Sequence, residues 1–168
     1  GMRTRYARCA LLRAGWSESV RVAGVGGSTA ALETGVAPQA GDGRGDVLVP
    51  AMATLRSHAF QRAMAGLAER RGPGSDSFWS WREAMYRFAL RMAPEQLQAV
   101  AALLYVEMLE AGFGRVGEFH YLHHAPDGSA YDDVAELGGR IAAASSEAGI
   151  GLTLLPVFYN RSGLWGAA

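Results

Sequence analysis

The chain has 168 residues, of which 49% are apolar and 19% charged; this is enough for a sizeable core and excludes a disordered tail or a coiled coil. Lys and Arg together number 16, as do Asp and Glu, so the formal charge is zero and neither a nucleic-acid nor an anionic-membrane partner is expected. One cysteine, Cys9, leaves no internal disulfide to form.

No signal-like apolar segment follows the first arginines, and no run approaches the roughly 18 apolar residues of a membrane span. A cytoplasmic location is therefore expected. Gly1 ahead of Met2 reads as a residue left by tag removal.

In chain order, "YARCALL", "SESVRV" and "TAALET" alternate in the manner of strands, with "GVGGS" as a turn between two of them. That turn fails the dinucleotide-binding fingerprint, because no helix pattern opens after it. "GDGRGD" reads as a connector, and residues 1–45 as a small β segment. "DVLVPAM" (46–52) is a continuous apolar run, the pattern of one buried strand opening the segment 46–168.

Helical spacing then takes over. Trp81, Met85, Phe88 and Met92 predict one helix, with Ser77 or Ser80 as its cap and Ala93-Pro94 as its end. Pro94 suits the first turn of a second helix. The buried face of that helix is predicted at Leu97, Val100, Leu104, Met108 and Ala111, with Gly112 as its cap. "FGRVGEF" reads as the next strand. Asp132 or Asp133 opens a third helix with Val134, Leu137, Ile141 and Ala148 inward and Gly149 at its end, and "IGLTLLPVF" is a further buried strand. Strands alternating with helices in this way give a parallel sheet. A closed barrel of this class has eight strands over about 250 residues, so three strands ending in "YNRSGLWGAA" read as the opening part of something larger. An unpaired strand edge and apolar helix faces would favour self-association into a homo-oligomer.

Candidate chemistry gathers after the strands, where the carboxyl ends of a parallel sheet build sites. His58, in "TLRSHAFQ", is a possible metal ligand or a hydrogen-bonded structural residue. Arg56 cannot be its partner ligand, because a guanidinium keeps its protons and has no free lone pair. "EFHYLHH" holds Glu118, His120, Tyr121, His123 and His124; two or three histidines in a loop are too few for a closed tetrahedral site and fit bonding to backbone and water. Arg82 could grip a carboxylate with its planar fork or form a surface ion pair with Glu83. "NRS" at Asn160 matches a glycosylation acceptor, which has no meaning without secretion.

"SHAFQRAMAGL", "DSFWSWREAMYRF", "EFHYLHH" and "GIGLTLLPV", in this order and spacing, resemble the N-terminal part of formimidoylglutamate deiminases of the amidohydrolase superfamily. The resemblance implies an α/β fold, the N-terminal strands of a small composite β-sandwich followed by the first βα units of a (β/α)8 barrel. It implies zinc as cofactor and N-formimino-L-glutamate as small-molecule substrate, hydrolysed to N-formyl-L-glutamate and ammonia during histidine degradation. By position, His58 matches a zinc ligand, Arg56 stands where the other strand-1 histidine is usual, and Gln61, Arg82 and Tyr121 match substrate contacts. The remaining ligands and the acid/base groups would lie beyond Ala168, so this chain is expected to bind zinc weakly or not at all and to be inactive alone. The alternatives are a non-catalytic binding or assembly module, or a related aminohydrolase with another substrate.

Overall fold

The computed structural model describes residues 1–66, 78–89 and 91–158, with the backbone alone at 78–80, 83 and 84. Ser77, Asn160 and the "LWGAA" ending lie outside the described residues. The chain divides into two compact units, Gly1–Pro50 and Ala51–Ala168.

The first unit is a four-stranded sheet in the order β3-β2-β1-β4, built from β1 (Arg3–Leu12), β2 (Gly15–Val25), β3 (Ser28–Glu33) and β4 (Gly43–Leu48). β1 and β2 are antiparallel with Leu11 opposite Trp16, and β4 joins β1 in parallel with Val47 opposite Cys9. The β2–β3 turn is the predicted "GVGGS". Gly26 and Gly27 hold φ of 57° and 82°, the left-handed pair that lets a two-residue turn follow the strand twist. Ala7, Ala10, Val20 and Ala23 are the buried apolar residues. Asp42, with its side chain fully covered, accepts from Arg21 Nε and from the Gln39 N–H at 2.8 Å, tying the connector to β2.

"DVLVPAM" is not one buried strand. Its first three residues finish β4 in the first sheet, Val49–Ala51 carry no strand, and Met52 opens β5 (Met52–Ser57) in the second. Val47, Val49 and Met52 are each more than half exposed. An apolar run reports β propensity but not which sheet it joins, nor whether a non-strand interruption divides it.

The second unit carries a parallel sheet in the order β5-β6-β7, with β6 at Phe113–His120 and β7 at Gly151–Pro156. Between β5 and β6 lie a 3-10 helix (Ala59–Met64), α1 (Phe78–Ala89) and α2 (Pro94–Glu110); α3 (Glu136–Ala148) joins β6 to β7. Pro94 opens α2 as predicted. Ala93 before it is extended, and its N–H donates to the Gln96 side chain at 3.0 Å. α1 ends at Ala89, short of the predicted Met92, although Met92 is buried. On α2 Leu97 is buried as expected, but the next buried positions are Ala101 and Tyr105, one residue beyond the expected Val100 and Leu104; Val100, Leu104 and Met108 are half-buried.

α3 begins at Glu136 after a turn in which Asp133 Oδ1 accepts the Ala135 N–H, and it stops at Gly149 with φ 83°. Val134 falls in the turn and is 77% exposed, contrary to its predicted inward place. One core joins Phe60 and Met64, Met85 and Ala89, the α2 stripe, Val116 and the inward face of α3 at Leu137, Ile141 and Ala144. β-strands alternating with helices around a parallel sheet are the opening units of a (β/α)8-type barrel, here not closed into a ring. No helix among the described residues is long and apolar enough to cross a membrane.

Candidate functional site

The site is built at the carboxyl ends of β5 and β6. Ser57 and Glu118 are register partners, so His58 leaves β5 beside Phe119. His58 Nδ1 lies 2.9 Å from the Phe119 carbonyl. A carbonyl can only accept, so Nδ1 carries the proton and Nε2 keeps the lone pair. That lone pair is engaged: Arg56 Nε donates to Nε2 at 3.3 Å. The imidazole is held edge-on by Phe119 and Tyr121, with ring centroids at 5.4 and 5.3 Å.

Gln61 follows directly, because its N–H closes the 3-10 turn onto the His58 carbonyl at 2.9 Å. Its side-chain Nε2 donates to the sulfur of Met85 on α1 at 3.2 Å, and the Tyr121 hydroxyl reaches the same sulfur at 3.7 Å. Tyr121 also meets Phe60 edge-on. Three of the sequence candidates, His58, Gln61 and Tyr121, therefore come together. Arg82 lies on α1 three residues before Met85, with its guanidinium carbon 5.3 Å from the centre of the Tyr86 ring.

A buried polar layer supports this end of the sheet. Glu118 is 1% exposed; Oε1 accepts the Ala59 N–H at 2.6 Å and Oε2 the Tyr105 hydroxyl at 3.3 Å. Burial pushes its carboxyl above the ordinary range, against hydrogen bonds from Ala59, Ser57 and Tyr105. Tyr105, buried on α2, has its hydroxyl pKa raised by the same burial and by the carboxylate beside it. Spacing alone missed both Met85, which looks like one more apolar residue of a helix stripe, and the structural use of Glu118. The available signal was an acid alternating with Val116 and His120 on one face of a strand.

The histidines of "EFHYLHH" stay grouped but do not converge on one point: the His120 and His123 rings meet edge-on with centroids 5.4 Å apart. His120 is the last residue of β6 and is buried, its pKa pushed down to about 4 mainly by desolvation, with His123 adding to the shift. Its Nε2 is a buried atom with no hydrogen-bond partner among the described residues. His123 Nε2 bonds the Val157 carbonyl at 2.7 Å, as a backbone-bonded loop histidine should. His123 and His124 line an open pocket of about 350 Å³ with Val134, Pro156 and Phe158.

Zinc needs three or four converging nitrogen, sulfur or oxygen ligands. Among the described residues no group of three or more His, Cys, Asp or Glu converges in that way. His58 Nε2, at the end of β5, faces a guanidinium. The residues present do not fit the metal.

Residues 2–46 match the family model described as formimidoylglutamate deiminase HutF, N-terminal domain. Over 162 residues the chain is 50% identical to the formimidoylglutamate deiminase of Pseudomonas aeruginosa, covering 96% of this chain and 36% of that protein. It superposes on a crystal structure of an amidohydrolase from Brucella melitensis with TM-score 0.90 and 61% identity, over 99% of this chain and 37% of the other. The zinc-complexed atrazine chlorohydrolase of Arthrobacter aurescens, at 14% identity and TM-score 0.63, shares the fold. The chain thus spans little more than a third of the relatives it matches, and it is homologous to the N-terminal part of formimidoylglutamate deiminases in the amidohydrolase superfamily.

Proposed function

We propose that this chain is the N-terminal part of a formimidoylglutamate deiminase-like hydrolase and that, alone, it does not turn over substrate. The reaction of the whole protein would add water across the formimino C=N of N-formimino-L-glutamate, leaving N-formyl-L-glutamate and ammonia. The observation that carries this reading is the 50% identity to a formimidoylglutamate deiminase along nearly all of the chain, together with the convergence of His58, Gln61 and Tyr121 where a parallel sheet builds its site. In this reading Gln61 and Tyr121 offer hydrogen-bond donors to the substrate, and Arg82 a fork for one of its carboxylates. Inactivity of the isolated chain is supported by the absence, among the described residues, of three or more converging metal-binding side chains and by Arg56 at the β5 end.

The decisive assay is ammonia release from N-formimino-L-glutamate with zinc supplied. The isolated chain is expected to match the blank. A chimera placing residues 1–158, with Arg56→His, on the remainder of the Brucella melitensis amidohydrolase is expected to release ammonia. Turnover by the isolated chain would sink the inactivity; a folded chimera acting on other amidines or amines instead would replace the substrate.

A second reading, a non-catalytic assembly module, is favoured by one observation. β5 and β7 are the end strands of the second sheet; Leu55 on β5 is 86% exposed, and Phe158, two residues past β7, is 77% exposed. Light scattering separates the readings: a monodisperse oligomer supports assembly, a stable monomer opposes it.

A further inference from the structure

We propose that Arg56 and His58 form a guanidinium–imidazole pair that actively keeps divalent cations off the carboxyl end of β5. This is stronger than the statement that one ligand is missing, and it rests on the local geometry rather than on the deiminase reading. Two hydrogen bonds, made at opposite sides of one ring, require the same protonation state. The Phe119 carbonyl takes the Nδ1 proton at 2.9 Å, and the Nε of Arg56, which can only donate, takes the Nε2 lone pair at 3.3 Å. Phe119 and Tyr121 pack edge-on against the ring at 5.4 and 5.3 Å, so rotation cannot offer the cation the other nitrogen without breaking both contacts.

A metal ion approaching Nε2 must therefore displace a charged donor from its acceptor. The displaced guanidinium, two residues back near the end of β5, stays close enough to repel it. Neutral imidazole is a good ligand because its lone pair is open; here the fold supplies its own cation to that lone pair. Replacing Arg56 by any side chain without a donor or a charge should free Nε2, even though no ligand is added.

The test follows the His58 ring nitrogens by long-range proton–nitrogen NMR while zinc is titrated into the full chain. In the wild type, the His58 Nε2 resonance should stay fixed as zinc rises. Arg56→Met keeps the aliphatic stem and is expected to let zinc move that resonance with an affinity tighter by about tenfold or more. Arg56 is exposed, and an unchanged backbone amide spectrum outside β5 certifies the fold. Arg56→His serves as the second variant and should bind zinc more tightly still. If Arg56→His gains zinc while Arg56→Met titrates like the wild type, the arginine is a lost ligand rather than a block, and the proposal fails. It fails equally if zinc moves His58 Nε2 in the wild type as readily as in Arg56→Met. Neither failure bears on ammonia release by the chimera, so the deiminase reading is judged separately.

Discussion

The Ala59 N–H donates to Glu118 Oε1 at 2.6 Å, so a carboxylate buried under β6 holds the first residue after His58. Glu118 also accepts the Tyr105 hydroxyl from α2 and receives a hydrogen bond from the Ser57 side chain. Strand end, 3-10 turn and helix are thus joined through one acid. Such a group is costly to bury and costlier to remove, because its donors would be left with nothing to accept them.

Glu118→Leu is therefore expected to destabilise by about 3 kcal/mol, the cost of stranding buried donors. Glu118→Gln keeps an acceptor for the Ala59 N–H and should fall within about 1 kcal/mol of the wild type. The sign of the pH dependence follows from the raised pKa. The unfolded carboxyl releases its proton near the ordinary 4.5, whereas the native one holds it to higher pH. Stability from this group is full below 4.5 and declines as pH rises through the native value. Urea unfolding across that window should show the decline in the wild type and lose it in Glu118→Gln.

His120 runs the other way. Its native pKa is pushed down to about 4, from 6.5, chiefly by burial. The native state stays neutral while the unfolded chain takes up a proton, so stability is full above 6.5 and falls with pH until about 4. The shift corresponds to about 3 kcal/mol in total. His120→Phe should flatten this part of the profile. The measurement is the urea midpoint at a series of pH values between neutrality and 4.5 for both proteins; parallel profiles would contradict it. Since Glu118 contributes with opposite sign in the acid part of this range, the difference between His120→Phe and wild type isolates the histidine.

β5 and β6 approach closely because Gly117 has no side chain. A Cβ there would stand 2.8 Å from the Leu55 carbonyl oxygen and 3.1 Å from its carbon. Backbone cannot rotate away, so Gly117→Ala must spread the two strands and is expected to cost about 2 kcal/mol. Gly139, exposed on α3, has nothing within 4 Å of its Cβ position. Gly139→Ala should stabilise by about 0.5–1 kcal/mol through helix propensity. Thermal unfolding of the two variants should move in opposite directions.

These contacts mark where sequence reading succeeds and where it stops. Alternation and turn chemistry placed β1 to β3, and Pro94 with Gly112 bracketed α2, because those signals are local. "DVLVPAM" misled because its apolar side chains serve two sheets and three of them are exposed, a decision made by tertiary pairing. After Leu97 the buried α2 positions are Ala101 and Tyr105 rather than Val100 and Leu104, and the Tyr105 hydroxyl reaches Glu118, a long-range contact that spacing does not show. At the site, His58 and the "EFHYLHH" cluster with Tyr121 stood out from their place after predicted strands and Gln61 from motif resemblance, while the hydrogen bond between Arg56 and His58 needed coordinates. Spacing shows that two residues are close in sequence; it does not show which nitrogen faces which.

In the first unit, Asp42 and Asp46 both pair with arginines but should differ in weight. The Asp42 side chain is fully covered, and its pKa is lowered by hydrogen bonds from the Thr4 hydroxyl and the Gln39 N–H, then by Arg21. The Arg8–Asp46 pair is about three-quarters exposed on both sides, where ion pairs contribute little. Asp42→Asn should lower the unfolding temperature clearly, and Asp46→Asn hardly at all. The Asp42 contribution is present above pH 3.8 and is lost as pH falls through its lower native value. Equal effects of the two variants at neutral pH would refute this ranking.

The sulfur of Met85 receives both the Gln61 amide at 3.2 Å and the Tyr121 hydroxyl at 3.7 Å. A thioether is a weak acceptor, so it can hold donors in place and still yield them to a better acceptor such as a substrate oxygen. Met85→Leu is close in volume and should cost less than about 1.5 kcal/mol in stability. It removes the acceptor, and the Gln61 side-chain amide protons should then exchange faster with solvent than in the wild type, as read by NMR. In the active chimera, the same substitution is expected to raise KM for N-formimino-L-glutamate more than it lowers kcat, because donor placement rather than bond-making is disturbed. An unchanged Gln61 amide and an unchanged KM would show that the sulfur merely packs.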